Sequence, residues 1–501
     1  MTMNTSAEVI KHLDELTKQR VEEIRSTPNM EKQFERTFFV SCDGNDENDG
    51  LSPDSPWATL SRINKADKGG ELKYGDAILL RRGDLFRGNI DVITDGVTIS
   101  AYSTGKKPEI YTALKNYADE SLWIETDRPN IYECADKFDH SRDVGFITFD
   151  NGGAYGIRDL ITFSTEKGCT VHYIERRPFN GYFDLNTDLH FFHDYRSHKL
   201  FLYSDKGNPG KRFKSIELSL GVHGVAVGGN NITVDNLCIK HVGNHGVGAG
   251  ECEGLTVTNC EFGWIGGSVL GTSYSKEGHP PSSRFGNAVE IYGGCDKFTV
   301  RNCLVYQVYD AGLTFQIQTP KDHDASMRNI VFADNVILNC YYSIEYFLYI
   351  EAQCKDNPSV VENVLFENNL MRFAAHGMCE QRPDNAAGTH IKAKWVENCG
   401  VNFVMKNNVF DESRHMLIIH KGIPLNDRYD YQLPKMEGNL YLQTPTAQFG
   451  TFCDSRRMQD SDCLVSEHFG DKEIEFLKAT DPTGTVYLRE EYDPETENMF
   501  I

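Results

Sequence analysis

The chain of 501 residues is 40% hydrophobic and has a formal charge of −22 at neutral pH, a composition typical of a globular protein. A negative charge of this size repels nucleic acid phosphates and anionic membrane surfaces, and no basic stripe offsets it. No apolar run is long enough to cross a bilayer. Nucleic acids and membranes are therefore excluded as expected partners, and the oligomeric state is left open.

Residues 1–36 are predicted to form a helical N-terminal extension that caps the end of the domain that follows. Residues 8–25 have the pattern of an amphipathic helix, and the polar start of the chain is unlike a signal peptide. The 14 cysteines are scattered singly, and several fall in apolar strand patterns. Buried, reduced thiols in a cytoplasmic protein are the expectation.

The next two segments are predicted to consist of β-structure. Residues 37–112 have short apolar strands and a loop in which acidic and amide residues alternate between Asp43 and Asp49. That alternation is compatible with calcium, but the bidentate glutamate of such loops does not follow, so a hydrogen-bonded turn is favoured. Residues 113–220 contain strands joined by polar turns, which predicts a small antiparallel β insertion.

Between residues 221 and 440 one phrase recurs, in which two apolar residues alternate with polar ones and are followed by Asn or Asp. The copies are Ile232–Asn236, Leu255–Asn259, Phe298–Asn302, Ile330–Asp334, Val364–Asn368 and Phe403–Asn407. The alternation indicates a half-buried strand, and the terminal Asn or Asp suits a turn in the left-handed region.

The spacing of this phrase predicts a right-handed parallel β-helix. Asn236 and Asn259 are 23 residues apart, which is one coil, and the wider intervals are one coil plus an insertion. A single coil cannot bury its apolar face alone, so stacked coils share one core. Residues 441–501 are expected to close the helix end. The fold class is therefore all-β, with three long insertions at residues 267–287, 318–328 and 379–399 that together wall a groove.

Three carboxylates are the candidate catalytic residues. Aligning the segment around Glu290 with the segment around Glu345 places both in one outward column that also contains Thr314, and Asp310 comes from the coil between them. One carboxyl held protonated and a second held ionised are what glycosidic bond cleavage requires. The alternative is that all three are solvated ladder residues. Retaining or inverting outcome, and exo or endo action, are not decided by the sequence.

Further polar and aromatic residues near these carboxylates are candidate substrate contacts, since an aromatic ring can stack on a pyranose face. These candidates are Gln316, Gln318, His245, Trp264, Arg284, His376, His390 and Trp395. Each tryptophan is equally compatible with a core position. The histidines lack the spacing of a zinc site, so no metal is expected.

Several phrases resemble the pectin-lyase-like β-helix superfamily. They are VSCDGNDENDGLSPDSPWATL from residue 40 and YGDAILLRRGDLFRG from residue 74. RFGNAVEIYGG and VYQVYDAGLTFQ, further along the chain, are similar to the β-helical glycoside hydrolases that include α-L-fucosidases and xylanases. The resemblance implies hydrolysis without a cofactor, with Asp310, Glu290 and Glu345 as the carboxylates. Without an export signal, an imported oligosaccharide is the expected substrate.

Two other functions fit the same predicted fold. A polysaccharide lyase or uronate epimerase needs a base and a cation, for which Arg284, Lys392 and Lys394 are available. The charge of −22 disfavours such a polyanionic substrate. A carbohydrate-binding solenoid without catalytic activity is the third possibility, and it does not require converging carboxylates.

Overall fold

The computed structural model describes most of the chain. The described residues are 5–172, 175–271, 276, 279, 281–318, 324–349, 358–382, 387–397, 399–423, 434–445, 452–454 and 468–493, without the side chains of 394–397, 399–401, 420–423 and 452–454.

Helices are few. They are α1 (Ser6–Arg25), α2 (Leu60–Lys68), α3 (Pro209–Arg212) and α4 (Asp471–Thr480), with short 3-10 helices at Glu120–Leu122, His140–Arg142, Asp150–Gly152, Tyr182–Asp184 and Met378–Gln381.

Strands make up most of the described structure. In the first half of the chain they are β1 (Thr37–Val40), β2 (Ala77–Arg81), β3 (Leu85–Arg87), β4 (Ile90–Val92), β5 (Thr98–Tyr102), β6 (Glu109–Tyr111), β7 (Trp123–Glu125), β8 (Ile131–Lys137), β9 (Val144–Phe149), β10 (Ala154–Tyr155), β11 (Ile157–Arg158), β12 (Ile161–Ser164), β13 (Cys169–His172), β14 (His190–Asp194), β15 (Lys199–Tyr203), β16 (Ile216–Leu220), β17 (Val225–Val227), β18 (Thr233–Asp235), β19 (Cys238–Val242) and β20 (Val247–Ala249). In the second half they are β21 (Cys252–Glu253), β22 (Thr256–Thr258), β23 (Glu261–Ile265), β24 (Ser268–Val269), β25 (Arg284–Phe285), β26 (Val289–Tyr292), β27 (Cys295–Arg301), β28 (Leu304–Gln318), β29 (Met327–Ala333), β30 (Val336–Tyr349), β31 (Val361–Glu367), β32 (Leu370–Ala374), β33 (Thr389–Glu397), β34 (Cys399–Lys406), β35 (Val409–Ser413), β36 (Met416–Ile423), β37 (Lys435–Glu437), β38 (Leu440–Gln443), β39 (Phe452–Asp454) and β40 (Thr485–Leu488).

The recurring phrase forms one long parallel sheet, which confirms the predicted β-helix. Its strands follow the order β1-β2-β5-β18-β22-β27-β29-β31-β34-β37. Within it, Val257 pairs with Val300 and Val300 with Phe332, coil above coil. The first apolar residue of each copy is buried, although Ile232 and Leu255 lie one position before their strands begin.

The residue that ends each copy turns the chain, as its side chain predicts. Asn236, Asn259 and Asn302 have φ between 53° and 59°, a region that asparagine tolerates. In the later coils a second asparagine follows and points inward. The Asn335 amide donates to Asn369 at 2.9 Å, and Asn369 donates to the next coil in the same way. This buried ladder satisfies polar groups that would otherwise be costly inside the core.

The segment between residues 113 and 220 carries the predicted antiparallel strands. Five strands form a sheet in the order β11-β14-β15-β8-β7, in which β15 pairs antiparallel with both β14 and β8, whereas β11 pairs parallel with β14. Strands β9 and β16 pair antiparallel with each other, and β16 also joins the helix through β19. The insertion is thus attached directly to the coils of the β-helix.

Helix α1 lies along the side of the β-helix, and the expectation that it caps the end is wrong. Its apolar residues pack on outward side chains of successive coils, including Leu304, Val336 and Leu370. Asp14 pairs with Arg372 at 2.8 Å, and Arg25 pairs with Glu261 at 2.9 Å. Apolar residues on these coils leave a stripe that the amphipathic helix covers. The ends of the core contact α2 and α4 instead.

The loop between Asp43 and Asp49 is a hydrogen-bonded turn. The carboxylate of Asp46 accepts hydrogen bonds from the backbone of Ala58 and Thr59 and from the Thr59 hydroxyl. Asp49 accepts from the Leu51 backbone, and Asp43 pairs with Arg81 at 2.6 Å. Oxygens of Asp43, Asn45 and Asp49, three of the four alternating residues, therefore have partners within the protein.

Two further observations concern the cysteines and the helices. Each cysteine side chain in the described part carries a free thiol. Among the described helices, none combines the length and apolar character needed to cross a membrane.

Replacing Val300 with Asp should unfold the chain. Val300 is fully buried between Val257 and Phe332, so the carboxylate would be buried without a partner, at a cost of several kcal/mol. We expect loss of the cooperative thermal transition measured by circular dichroism. Thr299→Asp, one residue away and partly exposed on the outer face, is the matched control and should keep that transition. An unchanged melting temperature in Val300→Asp would contradict the inward assignment.

Candidate active site

One outward column of the β-helix brings chemically active side chains together. Glu290 of β26 pairs in register with Thr314 of β28, Thr314 with Glu345 of β30, and Glu345 with Lys392 of β33. Neighbouring strands are about 4.8 Å apart, so these four residues occupy successive rungs. The register confirms the column of Glu290, Thr314 and Glu345 that the sequence alignment predicts.

Glu290 is a buried carboxyl held by neutral partners. It is 7% exposed, and its Oε2 accepts from the Asn287 amide and lies 3.2 Å from Nδ1 of His245. Burial raises the pKa of Glu290 to about 7, and the charge of Asp310 contributes, whereas hydrogen bonds from Asn287 and Gln316 oppose the shift. The Glu290 carboxyl is therefore substantially protonated at neutral pH.

The geometry at His245 also favours a proton on Glu290. Nδ1 of His245 lies 3.0 Å from the backbone N–H of Asn287, which donates to it, so this nitrogen carries no proton. Burial lowers the pKa of His245 to about 4, so the ring is neutral. The neutral ring therefore places no positive charge against Oε2 and does not stabilise the ionised form of Glu290.

Asp310, unlike Glu290, has a cationic partner. It lies at an irregularity in β28, and its Oδ1 is 2.6 Å from Nη1 of Arg382. The guanidinium of Arg382 lies 4.3 Å from the ring centre of Tyr341, which fixes its position. Asn287 links this turn to Glu290, since its Oδ1 accepts from the Ala311 backbone at 2.7 Å. Asp310, paired with a cation, thus stands beside Glu290, whose pKa is raised.

Glu345 is the third carboxyl of the cluster and pairs with Lys392. It is 3% exposed, and Nζ of Lys392 contacts its Oε1. Burial raises the pKa of Glu345 and the charge of Asp310 adds to the shift, while Lys392 opposes it. Between Glu290 and Glu345, the Thr314 hydroxyl is buried and has no hydrogen-bond partner among the described residues.

Some predicted substrate contacts lie at this column. His245 and Gln316 both interact with Glu290. Gln318 is at the exposed end of β28, in register with Tyr349. Tyr292, two residues beyond Glu290 on the same face, is 48% exposed and pairs with Gln316. It presents an aromatic ring that the sequence analysis did not single out.

Three predicted contacts are structural instead. Trp264 is 7% exposed and stacks on Phe146 with ring centres 5.9 Å apart, so it belongs to the core. Arg284 is buried and donates to the carbonyls of Gly267 and Gly145, so it ties the 267–287 insertion down. His390 is fully buried, with its Nδ1 3.0 Å from the Ser343 hydroxyl. In these three cases the contacts within the protein indicate a structural role, and the predicted substrate contact stays a prediction.

The described residues do not place either of the other two predicted contacts at the column. His376 lines a separate cavity with Glu412 and Arg414, and its Nε2 is 4.0 Å from Oε1 of Glu412. Trp395 is part of β33, but its side chain lies outside the described residues. Parts of the three insertions that were expected to wall the groove also lie outside them.

Sequence reasoning missed Asn287 and Arg382. It named Lys392 as a residue beside an insertion that could contact substrate and as a cation for a lyase, but not as the partner of Glu345. Asn287 is three residues before Glu290, so a search for amide donors beside each carboxylate would have found it. Extending the column of Glu290, Thr314 and Glu345 by one coil would have found Lys392 as the next residue. Arg382 gives no local signal, because its approach to Asp310 crosses 72 residues of chain.

A model of the right-handed β-helix region matches residues 223–385, the part of the chain that holds most of the column. The strand register of this region is that of a parallel β-helix, in agreement with the match. The match ends before β33, so Lys392 lies beyond it.

Comparison with individual proteins gives only partial similarity. The lacto-N-biosidase of Bifidobacterium longum subsp. longum is 31% identical over 128 residues, which cover 23% of this chain and 8% of that protein. Among solved structures, the GH136 lacto-N-biosidase from Eubacterium ramulus is 13% identical with a TM-score of 0.38 over 91% of this chain and 68% of that one. A rhamnogalacturonan lyase is 9% identical with a TM-score of 0.39, over 91% and 84% of the two chains. Scores of this size do not assign an activity to this chain.

The raised pKa of Glu290 predicts a pH-dependent stability. In the folded protein Glu290 binds its proton more tightly, with a pKa near 7 against an ordinary value of 4.5. The stabilisation is therefore complete below about pH 4.5 and is lost as the pH rises to 7. We expect the melting temperature of the wild type, relative to Glu290→Gln, to fall across this interval.

The surface variant Glu253→Gln, whose parent carboxylate pairs with Lys297 at 3.0 Å, is the control for loss of one negative charge. The difference in melting temperature between Glu253→Gln and the wild type should not show the same dependence on pH. If the melting temperatures of the wild type and Glu290→Gln differ by a constant amount from pH 4 to 8, Glu290 does not hold a proton as described.

Proposed function

We propose that the chain is a glycoside hydrolase that cleaves a glycosidic bond in an oligosaccharide. The observation that carries this proposal is the pair of contrasting carboxyls, Glu290 protonated among neutral groups and Asp310 compensated by Arg382. Glycoside hydrolysis needs one carboxyl that gives a proton to the leaving oxygen and one carboxylate that acts as base or nucleophile. The partial similarity to a lacto-N-biosidase supports the same reaction class.

In this proposal Glu290 is the general acid. It donates its proton to the glycosidic oxygen as the bond to the anomeric carbon breaks, and the Asn287 amide then stabilises the carboxylate that forms. Asp310 either activates a water or attacks the anomeric carbon. A carboxyl separation of roughly 5 to 5.5 Å corresponds to retention and roughly 6.5 to 9.5 Å to inversion. The proposal leaves that choice to an analysis of the product anomer.

Glu345 and Lys392 have a supporting role in the same proposal. Their ion pair is almost completely buried on the Glu345 side, with Lys392 over the ring of Tyr342 at 4.4 Å. The part of Lys392 that stays exposed is placed to hold a sugar hydroxyl. The substrate expected for this site is neutral, because the described cations of the cluster already have carboxylate partners. We infer that it is an oligosaccharide met in the cytoplasm.

A lyase is the second candidate, because Arg382 and Lys392 place two cations beside the carboxylates. In a lyase such cations neutralise the uronate carboxyl and so acidify the neighbouring proton. Here each of them pairs with a carboxylate of the protein, which leaves less positive charge for a uronate. The products distinguish the two reactions, since β-elimination gives an unsaturated sugar that absorbs in the ultraviolet and hydrolysis does not.

Asp310→Asn should lower turnover by about 100-fold or more, as expected when a catalytic carboxylate is lost. The assay is release of reducing sugar from neutral oligosaccharides, after a screen of aryl glycosides has identified a cleaved sugar. Glu290→Gln should be similarly severe, and Glu345→Gln less so. The melting temperature of Asp310→Asn should fall modestly, since Arg382 loses its partner.

The matched control is Asp334→Asn, which removes the carboxylate of another Asp–Arg pair, 2.5 Å from Arg301 on the other sheet. It should keep full activity. If all three amide variants of the column retain nearly full activity on the identified substrate, the assignment of this site is wrong. The cavity beside His376 would then be the next candidate.

A further inference from the structure

A second cavity lies in the antiparallel insertion, away from the column of carboxylates. Its volume is about 400 Å³, and it is lined by residues of the insertion between Leu160 and Arg196 together with His279. Small-molecule sites usually have volumes of roughly 300 to 1,000 Å³. The cavity is therefore large enough for one or two sugar rings.

Aromatic rings form the wall of this cavity and are held in place by packing. Tyr182 stacks on Phe201 with ring centres 4.1 Å apart and 13° between the planes. Phe183 contacts Tyr182 edge-on at 5.7 Å and is 46% exposed. An exposed, fixed phenyl ring beside a cavity is the kind of surface on which the apolar face of a pyranose stacks.

Polar groups on the rim complement these rings. Asn180 is exposed and lines the cavity, and its Oδ1 accepts from the Thr170 hydroxyl at 3.0 Å, which leaves its amide N–H groups as potential donors. Asp194 and Arg196 supply one charge of each sign. Planar hydrogen-bonding groups without a net charge suit a neutral polyhydroxylated ligand better than an anion.

The cavity is joined to the column by buried hydrogen bonds. The Tyr195 hydroxyl accepts from Arg158 at 2.8 Å, and Arg158 donates to the Gly267 carbonyl at 3.1 Å. Arg284 donates to the same carbonyl at 2.7 Å, three residues before Asn287 at the column. The wall of the cavity and the support of Glu290 therefore belong to one rigid arrangement.

We propose that this cavity is a second, non-catalytic carbohydrate-binding site that takes a neutral sugar ring of an oligosaccharide. The choice of ligand class rests on the proposed function, although binding here does not require turnover. Asp194 is the one carboxylate among the described residues that line the cavity, so the pair needed for glycoside cleavage is not present there.

The test uses an array of neutral and uronate-containing oligosaccharides, probed with the full chain carrying Asp310→Asn to suppress turnover. Neutral glycans should bind, and adding Phe183→Ala or Asn180→Ala should weaken the binding roughly tenfold, the loss expected for one ring contact or hydrogen bond. Both side chains are exposed, so both variants should fold. The control is Ile124→Ala. It removes an exposed apolar side chain from β7, in the five-stranded sheet of the insertion, and should leave binding unchanged.

Three outcomes would overturn the proposal. They are the absence of binding to any neutral glycan, a preference for uronate-containing glycans, and neutral binding that neither variant weakens. Hydrolysis is measured separately, with Phe183→Ala in the otherwise wild-type chain and a small aryl glycoside as substrate, and it should be unchanged. If no substrate is cleaved but glycan binding still depends on Phe183, the proposed hydrolase function fails and this inference stands.

Discussion

The parallel register between successive coils is the constraint on which the rest of this protein depends. A coil has no partner of its own for its apolar face, so each strand is stable only when its inward residues stack on those of the next coil. Val289 and Ile291 are fully buried on either side of Glu290, and the strands of Thr314 and Glu345 alternate in the same way. Burial of these apolar neighbours fixes the register, and the register then places the outward residues.

The same constraint explains how unfavourable charges are kept together. Carboxyls on neighbouring rungs repel one another and lose hydration when they are covered, so they would not assemble without support. The stacked core holds them in place, and each carboxyl then finds a different partner. Asp310 contacts Arg382, Glu345 contacts Lys392, and Glu290 has Asn287 and a neutral His245. These differences in environment separate the chemical roles of the three groups.

The repeating features of the fold could be predicted from the sequence, because they are set by the alternation of apolar and polar residues along each strand and by the turn-forming asparagines. The strand phrase, the left-handed asparagines and the column of Glu290, Thr314 and Glu345 all follow from it. Features that depend on long-range contacts could not be read in this way. The position of α1 along the coils and the approach of Arg382 to Asp310 are set by tertiary packing. Trp264 and Arg284 are residue types that often contact ligands. Their burial against partners within the protein shows that they support the fold.

The central claim is that Glu290 gives a proton to the leaving group, and the dependence of rate on the leaving group tests it most directly. In Glu290→Gln, aryl glycosides whose phenol leaves without protonation should be cleaved almost as fast as by the wild type. Glycosides of poor leaving groups should be slowed by about 100-fold or more. The account therefore predicts a steep dependence of kcat/KM on the leaving-group pKa in the variant and a shallow one in the wild type. Equal slowing of all substrates, or no slowing of any, would contradict it.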